Sequence, residues 1–207
     1  MRNAPPYESA LAVPGEFNRR NDGRGWSAYV GPRVSFRGSS RIQGSLSGGY
    51  SRGVTADQYV NNFGAIGSDT THYTVARLDQ TTASLTARLD VTASPTLSLQ
   101  VYAQPFVSSG NYAQFKELVN GRALDYDDRY APYAYVGAPD FKVLSFRTTN
   151  VMRWEYKPGS TLFVVWQQGR EGLGTPNGFH YGQDFGDVFA TASSNALLVK
   201  LAYWLNP

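Results

Sequence analysis

Between Ala83 and Ala93 the chain alternates without a break. Ala83, Leu85, Ala87, Leu89, Val91 and Ala93 fall on one parity; Ser84, Thr86, Arg88, Asp90 and Thr92 fall on the other. A period of two over that length is a β-strand with one apolar and one polar face. Ser94-Pro95 breaks the pattern, and it resumes at once with Leu97, Leu99, Val101 and Ala103 opposite Ser98, Gln100, Tyr102 and Gln104. Two long strands joined by so short a turn predict a hairpin with one wholly apolar face.

The same pattern recurs along the chain. Leu144, Phe146, Met152, Trp154 and Tyr156 share a parity, with Thr148 and Asn150 among them. Lys157-Pro158-Gly159-Ser160 is a turn, after which Leu162, Val164 and Trp166 return on one face. Leu197, Val199, Leu201, Tyr203 and Leu205 alternate almost to the last residue. Upstream, Ala28, Val30, Val34 and Phe36 share one parity and Ile42, Leu46 and Tyr50 another, and Pro32 predicts a local irregularity or an edge. Seven strands are expected, over residues 26–37, 41–52, 72–93, 97–108, 142–156, 161–169 and 195–205. An eighth within Ser9–Phe17 is opposed by Pro14-Gly15. Residues 1–25 are read as an irregular N-terminal segment. Arg77 and Asp79 fall on the apolar register, so the strand through them must leave the apolar zone or carry a bulge.

Connections alternate strictly between short and long. Gly38–Ser40, Ser94–Thr96 and Lys157–Ser160 are short, whereas about 53–71, 110–140 and 172–194 are long. In an up-and-down meander this collects short turns on one rim and long loops on the other. Long alternating strands with that asymmetry are the signature of an outer-membrane barrel. The expected fold is therefore all-β, an antiparallel up-and-down meander of about 7–8 long strands over residues 26–207. A soluble β-sandwich also alternates. Strand length, aromatics near the short-turn ends and a final strand ending almost at the chain terminus favour the barrel. An odd strand number, together with a start at Met1–Glu8 that lacks an apolar signal region, predicts the C-terminal portion of a larger barrel.

Composition narrows the functions. Charged residues make up 17% of the chain and aromatics 14%, and cysteine is absent. Disulfides, thiolate metal sites and cysteine nucleophiles are excluded. No apolar run approaches the ~18 residues of a membrane-crossing helix. A net charge of +3, with no basic run longer than Arg19-Arg20, gives no nucleic-acid footprint.

Two stretches then carry a resemblance. Tyr73-Thr74-Val75-Ala76-Arg77-Leu78-Asp79-Gln80-Thr81-Thr82 with Leu97-Ser98-Leu99-Gln100-Val101-Tyr102-Ala103-Gln104-Pro105-Phe106 is one. Met152-Arg153-Trp154-Glu155-Tyr156-Lys157-Pro158-Gly159-Ser160-Thr161-Leu162-Phe163, continued by Val164-Val165-Trp166-Gln167-Gln168, is the other. Both resemble the C-terminal β-barrel region of the bacterial domain-of-unknown-function 5916 family, over roughly Trp26 to Leu205. That family often carries an N-terminal family 9 carbohydrate-binding-like domain, which has no counterpart in this sequence. The resemblance implies a Gram-negative cell-envelope protein in the outer membrane. Its partners would be outer-membrane lipid, the barrel-assembly machinery and, through a missing domain, a glycan.

Candidate residues follow from parity and loop composition. Arg88, Asp90, Gln100, Tyr102, Gln104, Arg147, Arg153, Glu155 and Lys200 would face the lumen, as a wet channel or an ion-pair-filled plug. Asp125, Asp127 and Asp128 are weak metal candidates, lacking the spacing of a calcium loop. Tyr126, Tyr130, Tyr133 and Tyr135 could contact a ligand such as a sugar. Glu117 and Asp127 can be paired as glycosidase carboxylates, but nothing fixes their separation. His72 and His180 are the only histidines. No nucleophile-elbow, P-loop or dinucleotide motif occurs, so no catalytic residue and no cofactor are expected. The sequence predicts an outer-membrane anchor or passage for a larger envelope protein. The alternatives are a secreted carbohydrate-binding sandwich and a hydrolase with its site on the long-loop rim.

Overall fold

The computed structural model describes residues 8–64 and 71–205. They form one antiparallel sheet of eleven strands. In chain order these are β1 (Glu8–Ala12), β2 (Gly15–Arg19), β3 (Trp26–Val30), β4 (Arg33–Ser39), β5 (Ile42–Phe63), β6 (His72–Ser94), β7 (Leu97–Leu118), β8 (Tyr130–Pro132), β9 (Phe141–Lys157), β10 (Ser160–Leu173) and β11 (Ser193–Ala202). A 3-10 turn (Asp127–Arg129) precedes β8, and one helix, α1 (Tyr181–Ala190), lies between β10 and β11.

The residues read as an irregular N-terminal segment hold β1 and β2. Both lie along the next stave: β1 pairs with β4, and β2 with β3. Pro14 and Pro32 each interrupt a strand, and the two interruptions face one another. The Gly31 N–H donates to the Pro14 carbonyl at 2.9 Å, and the Gly48 N–H to the Pro32 carbonyl at 2.8 Å. Neither proline needs to donate, so the ladder continues past both. β3 and β4 then share one side of β5, against residues 50–54 and 42–47. The sheet is thus eight staves wide, with β1–β2 and β11 as its edges. It is open, not closed into a barrel.

The strands also outrun the expected loops. β5 continues to Phe63 and β7 to Leu118, through segments whose composition reads as loop. Period two fails there because the ladder slips. Register shifts lie between Thr55 and Gln58, between Tyr59 and Asn61, and between Val75 and Arg77, and Gln114 takes a left-handed φ of 55°. Each bulge flips the parity, which erases the alternation while keeping the pairing.

Ile42, Val91, Leu99, Met152 and Val164 form one row across β5, β6, β7, β9 and β10. The centres of the β4–β5, β6–β7 and β9–β10 turns lie about one and a half, four and six residues beyond it. The hairpins therefore step by roughly 1.1 residues per strand, the stagger of tilted staves.

Candidate functional site

Cross-strand partners share a face, so the register sorts every side chain. One face carries Val34 and Phe36 on β4, Ile42, Leu46 and Tyr50 on β5, and Leu85, Leu89 and Val91 on β6. It continues through Leu97, Leu99 and Val101 on β7, Met152 and Trp154 on β9, Leu162, Val164 and Trp166 on β10, and Leu197, Val199 and Leu201 on β11. No second layer of structure covers most of this face. Ile42, Leu46, Leu85 and Leu99 are each between 37% and 48% exposed.

Two polar residues on that face are turned back onto the sheet. The Thr148 hydroxyl donates to the Tyr102 carbonyl at 2.7 Å, and the Asn150 amide donates to Thr148 Oγ1 at 3.2 Å. Trp166 Nε1 and Gln168 Nε2 both donate to Asn195 Oδ1 at 3.1 Å. At the short-turn end stand Trp154 and Tyr156, with ring centroids 6.1 Å apart, and Tyr203 with the Lys157 ammonium 5.7 Å from its ring. At the other end charges return to the same face. Arg52 pairs with Asp79 at 3.2 Å, and Arg170 donates to the Phe189 carbonyl at 2.9 Å. Between these limits the apolar stretch covers about ten residues of β5, β6 and β7.

The opposite face is mostly polar, with Val151, Phe163, Val165 and Leu198 as an apolar patch toward the β11 edge. Arg88, Asp90, Gln100, Tyr102, Gln104, Arg147, Arg153, Glu155 and Lys200 all lie on it. The Tyr102 hydroxyl donates to Gln104 Oε1 at 2.8 Å, Gln104 Nε2 donates to Thr86, and the Arg88 guanidinium sits 5.3 Å from the Tyr102 ring. Arg147 pairs with Glu171 at 2.9 Å and Arg153 with Glu155 at 3.5 Å. A pocket between β1, β4, β5 and β6 is lined by Arg33, Arg37, Arg88, Glu8 and Asp90.

The four loop tyrosines separate into two groups. Tyr126 and Tyr130 pack together at 4.9 Å, and Arg24 stands 3.9 Å from the Tyr126 ring. Lys116 Nζ donates to the Tyr126 hydroxyl and the Ala56 carbonyl. Tyr133 stacks on Phe63, and Tyr135 on Phe115 at 4.4 Å. These rings are occupied by neighbours from the sheet, which ties the long loop down over the extended ends of β5 and β7. Burial pushes the Tyr130 phenol above its ordinary range, with Asp57 adding to the effect. Asp127 engages Arg24 at 3.4 Å, whereas Glu117 engages His72. The two carboxylates considered as a catalytic pair thus have separate partners. Among the described residues no three metal-ligating side chains converge, at Asp125, Asp127 and Asp128 or elsewhere.

The helix was not legible in the sequence, and it brings the most buried ion pair of the described residues. Lys142 Nζ lies 2.7 Å from Asp184 Oδ1, with side chains 3% and 1% exposed. Lys142 also donates to Asn177 Oδ1, and the His180 N–H donates to Asp184 Oδ2, both at 2.7 Å.

Neither the curated proteins nor the solved structures compared with the chain include a match. The family model described as "Domain of unknown function (DUF5916)" matches residues 10–206, almost the whole sequence, and the chain belongs to that family.

Proposed function

We propose that this sheet is part of the lipid-facing wall of an outer-membrane-type β-barrel, and that the segment serves as membrane anchor or passage for an envelope protein. The observation that carries the reading is the apolar face: one side of a single-layer sheet, eight staves wide, with its large side chains uncovered. A soluble sandwich would bury such a face under a second sheet. A surface of this extent on a soluble domain would drive association.

The stagger gives the dimension. A step of about 1.1 residues per strand, at 3.3 Å per residue and 4.8 Å between strands, corresponds to a tilt of roughly 38° when the short turns lie level. Ten residues at that tilt rise about 26 Å, the height of the apolar band of a membrane barrel. In lipid no backbone group can be left unpaired. The reading therefore requires that the edges at β1–β2 and β11 be paired, by one another or by further strands. Its partners are outer-membrane lipid and the machinery that assembles barrels.

The test is fractionation of the protein expressed with its native export signals. The reading expects recovery in the outer-membrane fraction and migration on a detergent gel that changes on heating. A monomer soluble without detergent would sink it.

A further inference from the structure

Above the apolar band the face carries more apolar residues than lipid of that thickness would cover. Ala83, Val107, Leu144 and Phe146 lie beyond it, measured from the short turns. All but Phe146 are fully buried, and the loop after β10 folds back over Val107 and Leu144. Phe179 meets Tyr50 across β5, and Val188 packs on Val107 and Leu144.

The orientation of α1 on that surface is fixed by three contacts. Along β9, Lys142, Leu144 and Phe146 follow one another on one face, toward the short turn. They meet Asp184, Val188 and Phe189 of the helix in that order. The acidic contact is therefore farthest from the band and the aromatic contact nearest to it. At 100° per residue, Tyr181, Phe185 and Phe189 form a stripe on the flank toward the band. Gln183 and Asp187 fall on the opposite flank. Phe185 packs in part against the Val107–Leu144–Val188 cluster, but Tyr181 is 68% and Phe189 51% exposed, so the two ends of the stripe are not consumed by packing on the sheet. Arg170, which donates to the Phe189 carbonyl at the helix C-terminus, stands at the same level. An apolar flank facing down, a polar flank facing up and a cation at the boundary are the features of a helix lying in a membrane interface.

From this we infer that α1 is an interfacial anchor, with Tyr181, Phe185 and Phe189 resting in the headgroup–acyl boundary of the bilayer around the sheet. The inference rests on the membrane reading above. The buried Lys142–Asp184 pair holds the helix at that height, and Phe146 hands the apolar surface from strand to helix.

The experiment uses the full chain folded into phosphatidylcholine vesicles, with Trp26, Trp154, Trp166 and Trp204 each changed to Phe. Single tryptophans are then introduced as Phe189→Trp, Gln183→Trp or Leu89→Trp. The vesicles carry bromine near the headgroup or deep in the acyl chain. The expected result is quenching of Phe189→Trp by about twofold, stronger with the shallow bromine, with Gln183→Trp unchanged. Leu89→Trp, near mid-band, should respond more to the deep bromine. Quenching of Leu89→Trp without Phe189→Trp would overturn the anchor and leave the barrel standing. Equal quenching of Phe189→Trp and Gln183→Trp would overturn the orientation. If Leu89→Trp is not quenched, the membrane reading fails and the anchor fails with it.

Discussion

The apolar face can be tested by depth as well as by side. From the centre of the β6–β7 turn, Val101 is about five and a half residues along β7; at 3.3 Å per residue and a 38° tilt that is a rise of roughly 14 Å, near the middle of a 26 Å band. Ile42, one and a half residues from its own turn, rises only about 4 Å by the same arithmetic. Arginine on a lipid face costs about 2–4 kcal/mol at the midplane and about 0–1 kcal/mol near an interface. Val101→Arg should therefore lower the folded population in vesicles by about 30- to 1,000-fold, and Ile42→Arg by less than about tenfold. Gln100→Arg, one residue away and on the polar face, should cost little. The assay is urea titration of each variant in preformed vesicles, read by the shift of the folded band on an unheated gel. Equal losses for Val101→Arg and Gln100→Arg would refute the assignment of faces. Equal losses for Val101→Arg and Ile42→Arg would refute the tilt and the band height.

Three further outcomes follow from local geometry. Lys142→Ala strands a buried Asp184 carboxylate and should cost about 3–5 kcal/mol of loop docking, seen as rapid proteolysis within residues 174–192; Lys142→Met with Asp184→Leu should restore much of the resistance. Gly110→Ala would put a Cβ 2.4 Å from the Phe141 ring and 3.0 Å from Leu78 Cδ1, so it should destabilise by about 1–3 kcal/mol in denaturant melts, whereas Gly121→Ala, whose nearest contact is an ordinary 3.7 Å, should be close to neutral. The Tyr130 phenol is raised above its ordinary 10.0 by burial and Asp57. Its contribution is present in full below pH 10 and lost as pH rises through the folded value. Tyr130→Phe should therefore retain the order of the rim to higher pH, as followed by near-ultraviolet circular dichroism.

What the sequence made legible was the band itself. Within it each residue has one choice, to stand on the apolar face or on the polar one. Leu85–Val91 and Leu97–Ala103 state that choice at every position, and the structure pairs residues 87–92 with 98–103, and those with 148–153, in unbroken register. Outside the band the choice disappears. Asn61, Asn62, Asn111 and Gln114 lie where polar residues mix with Tyr59, Phe63, Tyr112 and Phe115 without alternation and the ladder slips register, so nothing in their order separates strand from loop. The N-terminal stave was hidden for another reason. Pro14 argues against a strand when read alone, and the compensating Pro32 sits on the neighbouring strand, where only the pairing reveals that the interruptions coincide.

The helix shows why the rim resisted the same reading. Tyr181-Gly182-Gln183-Asp184-Phe185-Gly186-Asp187-Val188-Phe189-Ala190 contains two glycines, each costing about 1 kcal/mol in a helix interior, and it has no side-chain cap. Propensity opposes it, so its stability comes from tertiary contacts: Val188 under Val107 and Leu144, Asp184 on Lys142, and Arg170 on the carbonyls at its C-terminus. Each partner is a residue of β7, β9 or β10 whose own parity already belonged to the apolar face. Lys142 is the informative one. A lysine that continues the register of Leu144 and Phe146 is costly beside lipid but well solvated beside water, so its parity alone names no partner. The structure supplies one in Asp184, at a sequence separation of 42 residues. Charged residues that interrupt an apolar parity near a strand end are therefore the positions from which such covering segments can be sought.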